Sequence, residues 1–261
     1  MGQRLLWKGV LIGLTVCAAG AAWHMSAAPP PAPNVSTFAP AEDLVAQFDY
    51  YLKRLDADLA QEADYKDVAD RVYKDANTIV LIALALGLHD QPNKYKQNAA
   101  GLVAASQKLI AAKDYASAKA ALEQLKAAAA KPQGDPSTLA WKKMASMPPL
   151  MQQVPLVHSR IKRSMRRFER MASSIAGDAA TIAVIGQGSI YNADETKKPD
   201  EAEKWYQYCI QMRDAAAQLN KAARAKDQKA AEEVLKALAK SCDDCHLVFH
   251  PEAIGKEVTE E

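Results

Sequence analysis

The sequence predicts an all-α protein built as two tandem up-down four-helix bundles, and three observations predict it. Strand signals are nearly absent, while helix-length apolar patterns with three- and four-residue spacing follow one another, broken at Pro, Gly and Asn/Asp. A Pro/Gly/polar stretch over residues 131–138 interrupts the series near its middle, as a linker does. An ordered internal repeat flanks that stretch. Asp75-Ala-Asn-Thr-Ile-Val-Leu81 resembles Asp178-Ala-Ala-Thr-Ile-Ala-Val184 at an offset of 103, and Ala112-Lys-Asp-Tyr-Ala-Ser-Ala-Lys119 resembles Ala225-Lys-Asp-Gln-Lys-Ala-Ala-Glu232 at an offset of 113. The second copy therefore carries about ten extra residues, expected around Asn192 to Pro199. Likeness of Ala/Lys-rich helices by composition alone is the competing explanation.

The elements follow in order. The first half predicts helices over 41–63, 66–88, 95–112 and 115–130, and the second over 150–174, 178–190, 200–225 and 227–249. Short connections make neighbours antiparallel, hence a bundle over 41–130, a linker over 131–149, a second bundle over 150–250 and a tail over 251–261. In the second bundle Leu150, Val154, Val157, Ile161, Met165, Phe168 and Ile175 define one buried stripe on the first helix, and Ala231, Val234, Leu235, Leu238 and Cys242 define another on the last.

Residues 1–28 read as a targeting segment. A short basic region ending at Lys8 precedes an apolar stretch from Gly9 to Ala22, then Ala-rich sites and a Pro-rich linker over 29–40. The apolar run is shorter than the roughly 20 residues that span a bilayer, so a cleaved signal peptide is expected and an uncleaved anchor is the alternative. Either places the rest of the chain outside the cytoplasm, in the periplasm. Cys17 is part of this apolar segment.

The last predicted helix ends in Cys242-Asp-Asp-Cys245-His246, a Cys-x-x-Cys-His pentapeptide and the attachment signature of a c-type haem. Two thiols on one helical turn can add to both vinyl groups of the macrocycle, leaving the adjacent imidazole beneath the iron. A zinc half-site is a rival reading. It needs two further ligands, and only Cys209, His158, His250 and His89 are candidates. Redox-active thiols are a third, although that motif belongs in a strand-helix context. The repeat sets Ala129 opposite Cys242 and Pro132 opposite Cys245, so the first bundle has no haem ligands.

A four-helix bundle whose last helix carries Cys242, Cys245 and His246 followed by Phe249 resembles the class II c-type cytochromes, the cytochrome c′ group, over residues 150–250. The resemblance implies one covalent haem c at the end of the last helix, thioether links through Cys242 and Cys245, and proximal ligation by His246. It implies either electron transfer with redox partner proteins or, where the iron is five-coordinate, binding of nitric oxide or carbon monoxide. It also suggests a homodimer formed through the first helices, which the extra bundle could block. The chain departs from the family at His250, where a basic residue usually follows the Phe, and in its extra bundle.

In an up-down bundle the end of the fourth helix lies beside the start of the first, so the residue facing the open side of the iron is expected between Met147 and His158. Met151, about one turn into the helix, is the candidate distal ligand; filling a core gap is its alternative role. Met147 precedes two prolines and belongs to the preceding loop, and His158 lies two turns beyond Met151, expected to be too far down the bundle, although an imidazole there would be a strong low-spin ligand.

Lys+Arg number 33 and Asp+Glu 31, a net charge of +2 that specifies no partner by itself. Arg160, Lys162, Arg163, Arg166, Arg167 and Arg170 nevertheless crowd together, either as a solvated face or as a patch that steers an acidic redox partner. Nucleic acid is not expected as a partner outside the cytoplasm. Cys209 is expected to be a small buried residue, with Trp205 and Tyr208 beside it against the macrocycle edge. No catalytic triad, phosphate loop or paired carboxylates accompany these features, so an enzyme is not expected.

Overall fold

The apolar periodicity is realised as eight α-helices, with no strand among the described residues, in a computed structural model that describes residues 28–132 and 134–253. They are α1 (Ala41–Asp58), α2 (Tyr65–Leu88), α3 (Ala99–Ala111), α4 (Tyr115–Ala130), α5 (Met147–Met165), α6 (Phe168–Ser189), α7 (Ala202–Arg224) and α8 (Gln228–Phe249). The expected targeting segment up to residue 27, Cys17 included, and residues 254–261 of the tail lie outside the described residues. Among the described residues no helix is long and apolar enough to cross a membrane.

Local signals explain several boundaries. The Asp114 carboxylate accepts the Ser117 N–H at 2.8 Å and the Asp227 carboxylate accepts the Ala230 N–H at 3.0 Å, so α4 and α8 begin with the same cap, 113 residues apart. Prolines in the first turn of α5 forgo only N–H groups that lack a helical partner there. Several boundaries differ from the sequence expectation. The chain turns at Arg166–Arg167, and α6 then runs from Phe168 straight through Gly177, so Phe168 and Ile175 belong to α6. Gly177 is a point of close approach: a Cβ there would stand 2.5 Å from Gln47 Nε2 of α1. Residues 62–64 and 96–98 form separate 3₁₀ turns, which shorten the first and third helices.

Each half pairs its helices in sequence, α1 on α2 on α3 on α4 and α5 on α6 on α7 on α8; in addition α1 packs on α6 and α5 on α2. One hydrophobic core consequently runs through both halves. α2 is buried on every side from Asp75 to Gly87, and α6 from Ile175 to Ser189, as befits the central helices.

Between them lies a duplicated polar network. Arg54 on α1 is paired with buried Asp75, and Arg160 on α5 donates to buried Asp178 at 2.6 and 2.8 Å. Both guanidiniums also donate to the Tyr50 hydroxyl, at 3.1 and 3.0 Å. Gln153 of α5 donates to Tyr51 at 3.0 Å and to Asp75 at 3.4 Å, while Gln47 of α1 accepts from Thr181 at 3.1 Å and hydrogen-bonds Asp178. Gln47 and Gln153, like Arg54 and Arg160, stand 106 residues apart, which carries the repeat into α1 and α5. Arg160 is thus an internal residue rather than part of the basic surface.

The copies differ at one end. α7 has 23 residues against 13 in α3, and α8 has 22 against 16 in α4. The extra residues of the second copy therefore lengthen α7, by about 15 Å of helix, instead of lying around Asn192 to Pro199. The α7/α8 hairpin projects past its counterpart.

Candidate functional site

The projecting end of that hairpin carries the Cys-x-x-Cys-His motif. With the caps Asp114 and Asp227 aligned, α4 stops at Ala130, opposite Asp243, and α8 continues through Asp244 to Phe249. Positions 242, 245 and 246 fall three and four apart, so both thiols and the His246 imidazole share one side of α8. Cys242 packs against the main core. Cys245 packs against a second cluster made of Ile190, Ala193, Ala202, Trp205, Tyr206, Cys209 and Phe249. Phe249 meets Trp205 edge-on at 5.4 Å and Tyr208 at 6.2 Å, and the Trp205 indole N–H donates to the Ser189 carbonyl at 2.7 Å.

All three cysteines of the described residues are free thiols. Burial pushes Cys242 up to about 11 and Cys245 up to about 12, and raises Cys209 well above the ordinary range. Burial also lowers the pKa of His246, with His250 adding to the effect and Asp243 opposing it. The His250 ring lies 5.9 Å from that of His246 and is exposed, with its Nε2 3.4 Å from Glu252.

The start of α5 is tied to the same end. The Met147 N–H donates to Glu195 at 2.7 Å, Lys143 pairs with Glu195 at 2.7 Å, and Asn192 donates to Glu195 at 3.1 Å and to the Ala145 carbonyl at 2.8 Å. Nothing in the sequence pattern announced this knot of polar residues. From there, Met151, Pro155, His158 and Lys162 succeed one another at spacings of four, three and four along one row of α5. Met151 is half-buried against the main core. His158 is half-buried too, and its Nε2 is buried with no hydrogen-bond partner. Burial, and after it Lys162, lowers the His158 pKa, while Asp243 of the motif acts in the opposite sense from across the α5–α8 border.

That border is thinly packed, for α5 and α8 barely touch. Ala121 and Leu122 of α4 are buried, whereas their counterparts Val234 and Leu235 on α8 are only half-buried.

The other sequence candidates are dispersed. Among the described residues no group of three or more His, Cys, Asp and Glu could hold a metal ion, so the motif finds no second pair for a zinc site. His89 lies in the first half, its ring bonded to the Ala39 carbonyl at 3.0 Å and to the Gln91 N–H at 3.0 Å. Exposed Lys162, Arg163, Arg166, Arg167 and Arg170 surround the α5–α6 turn, at the far end of α5 and roughly 20 Å or more along the helix from Met147. The chain matches no protein family model, no curated protein and no solved structure.

Proposed function

We propose that the chain is a c-type cytochrome that carries one covalently attached haem c on α8 and transfers single electrons in the periplasm. The observation that supports this reading is the placement of two free thiols and an imidazole on one side of α8, where the helix runs on past the length of α4, with Cys245 and His246 in the added part. Cys242 and Cys245 are the thioether anchors and His246 the proximal ligand. When bound, the haem supplies an iron centre that exchanges one electron with redox partner proteins. The chain's part is to hold and shield it. Trp205, Tyr208 and Phe249 present an aromatic wall beside Cys245 that excludes water from the attachment edge.

The thiols argue against a dithiol redox centre. A reactive cysteine has a depressed pKa, typically at a helix N-terminus, whereas these sit near a helix C-terminus, where the macrodipole opposes a thiolate, and burial raises both.

The test is expression of the full chain in a host that exports and matures c-type cytochromes. Haem that stays with the polypeptide on a denaturing gel, is lost in the C242A/C245A double variant, and cycles reversibly between two oxidation states by one electron supports the reading. Wild-type protein without covalent haem from such a host would overturn it.

A further inference from the structure

Buried polar atoms in native proteins are paired, and one buried without a partner is destabilising, so each exception calls for an explanation. His158 Nε2 is such an exception. Its row on α5 contains Met151 two turns earlier and borders α8 where the packing is thin. Asp243, which separates the motif cysteines together with Asp244, lies within electrostatic reach of the ring.

We propose that His158 is the second axial ligand of the haem iron, so that the metal is held between two imidazoles and Met151 is a packing residue. This rests on the reading of the motif as a haem attachment site. A neutral imidazole nitrogen is an iron ligand. Coordination would give the orphaned nitrogen the partner it lacks. The Met151 thioether makes no such demand: it packs against the apolar core, which satisfies a flexible sulfur side chain without any polar partner. Two protein ligands would also close the iron to exogenous gas.

The experiment compares optical and electron-paramagnetic-resonance spectra of the full-length holoprotein with those of the H158A, H158M and M151A variants, with helicity followed by circular dichroism. Low-spin iron in the wild type without a sulfur-to-iron charge-transfer band is expected. H158A should become high-spin, take up carbon monoxide on reduction, and return to low spin when free imidazole is added. H158M should keep a low-spin centre, gain the sulfur band and shift to a higher reduction potential, and M151A should match the wild type. A wild type that is high-spin, or an H158A spectrum identical to wild type with haem retained, overturns the assignment of His158 alone. Absence of covalent haem overturns the assignment and the function together.

Discussion

Replacing Arg160 by Met tests whether the duplicated polar network is integral to the core. The Asp178 side chain is 4% exposed and takes two hydrogen bonds from Arg160, at 2.6 and 2.8 Å. Methionine keeps an unbranched apolar stem but removes the charge and both donors. Removing one partner of a buried pair costs about 3–5 kcal/mol. A second route gives a similar figure: the stranded carboxylate can bind a proton, which at pH 7 costs about 1.4 kcal/mol for each unit above its ordinary value near 4, or about 4 kcal/mol. Burial already raises the Asp178 pKa, against the pull of Arg160, and losing Arg160 raises it further. The folded variant then holds a proton that the unfolded chain releases above about pH 4, so its deficit grows as pH rises. Urea unfolding should show R160M less stable by about 4 kcal/mol at pH 7, with the gap narrowing by about 1.4 kcal/mol per unit towards pH 5. The R160M/D178L double variant should recover most of the loss, since no buried charge remains. A deficit under about 1 kcal/mol, or one equal at pH 5 and pH 7, would refute the reasoning.

Two further predictions concern the frame of the site. Gly186→Ala would set a Cβ 2.9 Å from the Arg213 nitrogen and 3.0 Å from the Cys209 carbonyl oxygen, both backbone atoms of α7 that cannot swing aside. Chemical unfolding should record a loss of about 1–3 kcal/mol, and a neutral result would mean that α6 and α7 do not meet this closely. Burial favours the neutral form of Glu195, but Lys143, the Met147 N–H and Asn192 outweigh it and hold the carboxyl below its ordinary range. Its folded pKa is depressed, so its contribution is present above the unfolded value near 4.5 and disappears as pH falls through the lower folded one. Glu195→Gln should therefore melt below wild type at pH 7 and alongside it in strong acid, and a melting difference that persists in acid would show that the charge is not responsible.

The all-α class and the motif were legible in the sequence because each rests on local chemistry. The Asp-Ala-x-Thr-Ile repeat marks the central helices α2 and α6, and the shared Lys-Asp pair marks the caps Asp114 and Asp227. What escaped depends on contacts between distant segments. Gly177 reads as a breaker until Gln47 of α1 is seen pressing on it, and the turn at Arg166–Arg167 carries no Gly or Pro to announce it. Arg160 looks like one more basic surface residue until Asp178, 18 positions away, is found beside it. Likewise the unpaired nitrogen of His158 has no sequence signal, because an unmet hydrogen bond is a property of the surroundings.

On the proposed reading, the two halves differ in the room and the side chains they would offer a prosthetic group. In the first, Pro132 follows the end of α4 and cannot continue the helix, and α4 is fastened to the first helix and its end: the Tyr115 hydroxyl donates to the Leu59 carbonyl at 3.2 Å and Lys126 to Asp56 at 3.0 Å. Ala121 and Leu122 of α4 are buried. In the second, Cys245 replaces the proline, α8 runs on to Phe249, and the lengthened α7 supplies Trp205, Tyr206 and Tyr208 to wall the added length. The border with α5 stays thin, with Val234 and Leu235 half-buried. The apolar area left exposed at a helix–helix border contributes nothing to stability, whereas a flat apolar macrocycle seated there would cover it. On the proposed reading the lengthened hairpin and the thin border would serve together, since attachment at Cys242 and Cys245 would fix a group on α8 only if α5 leaves it room.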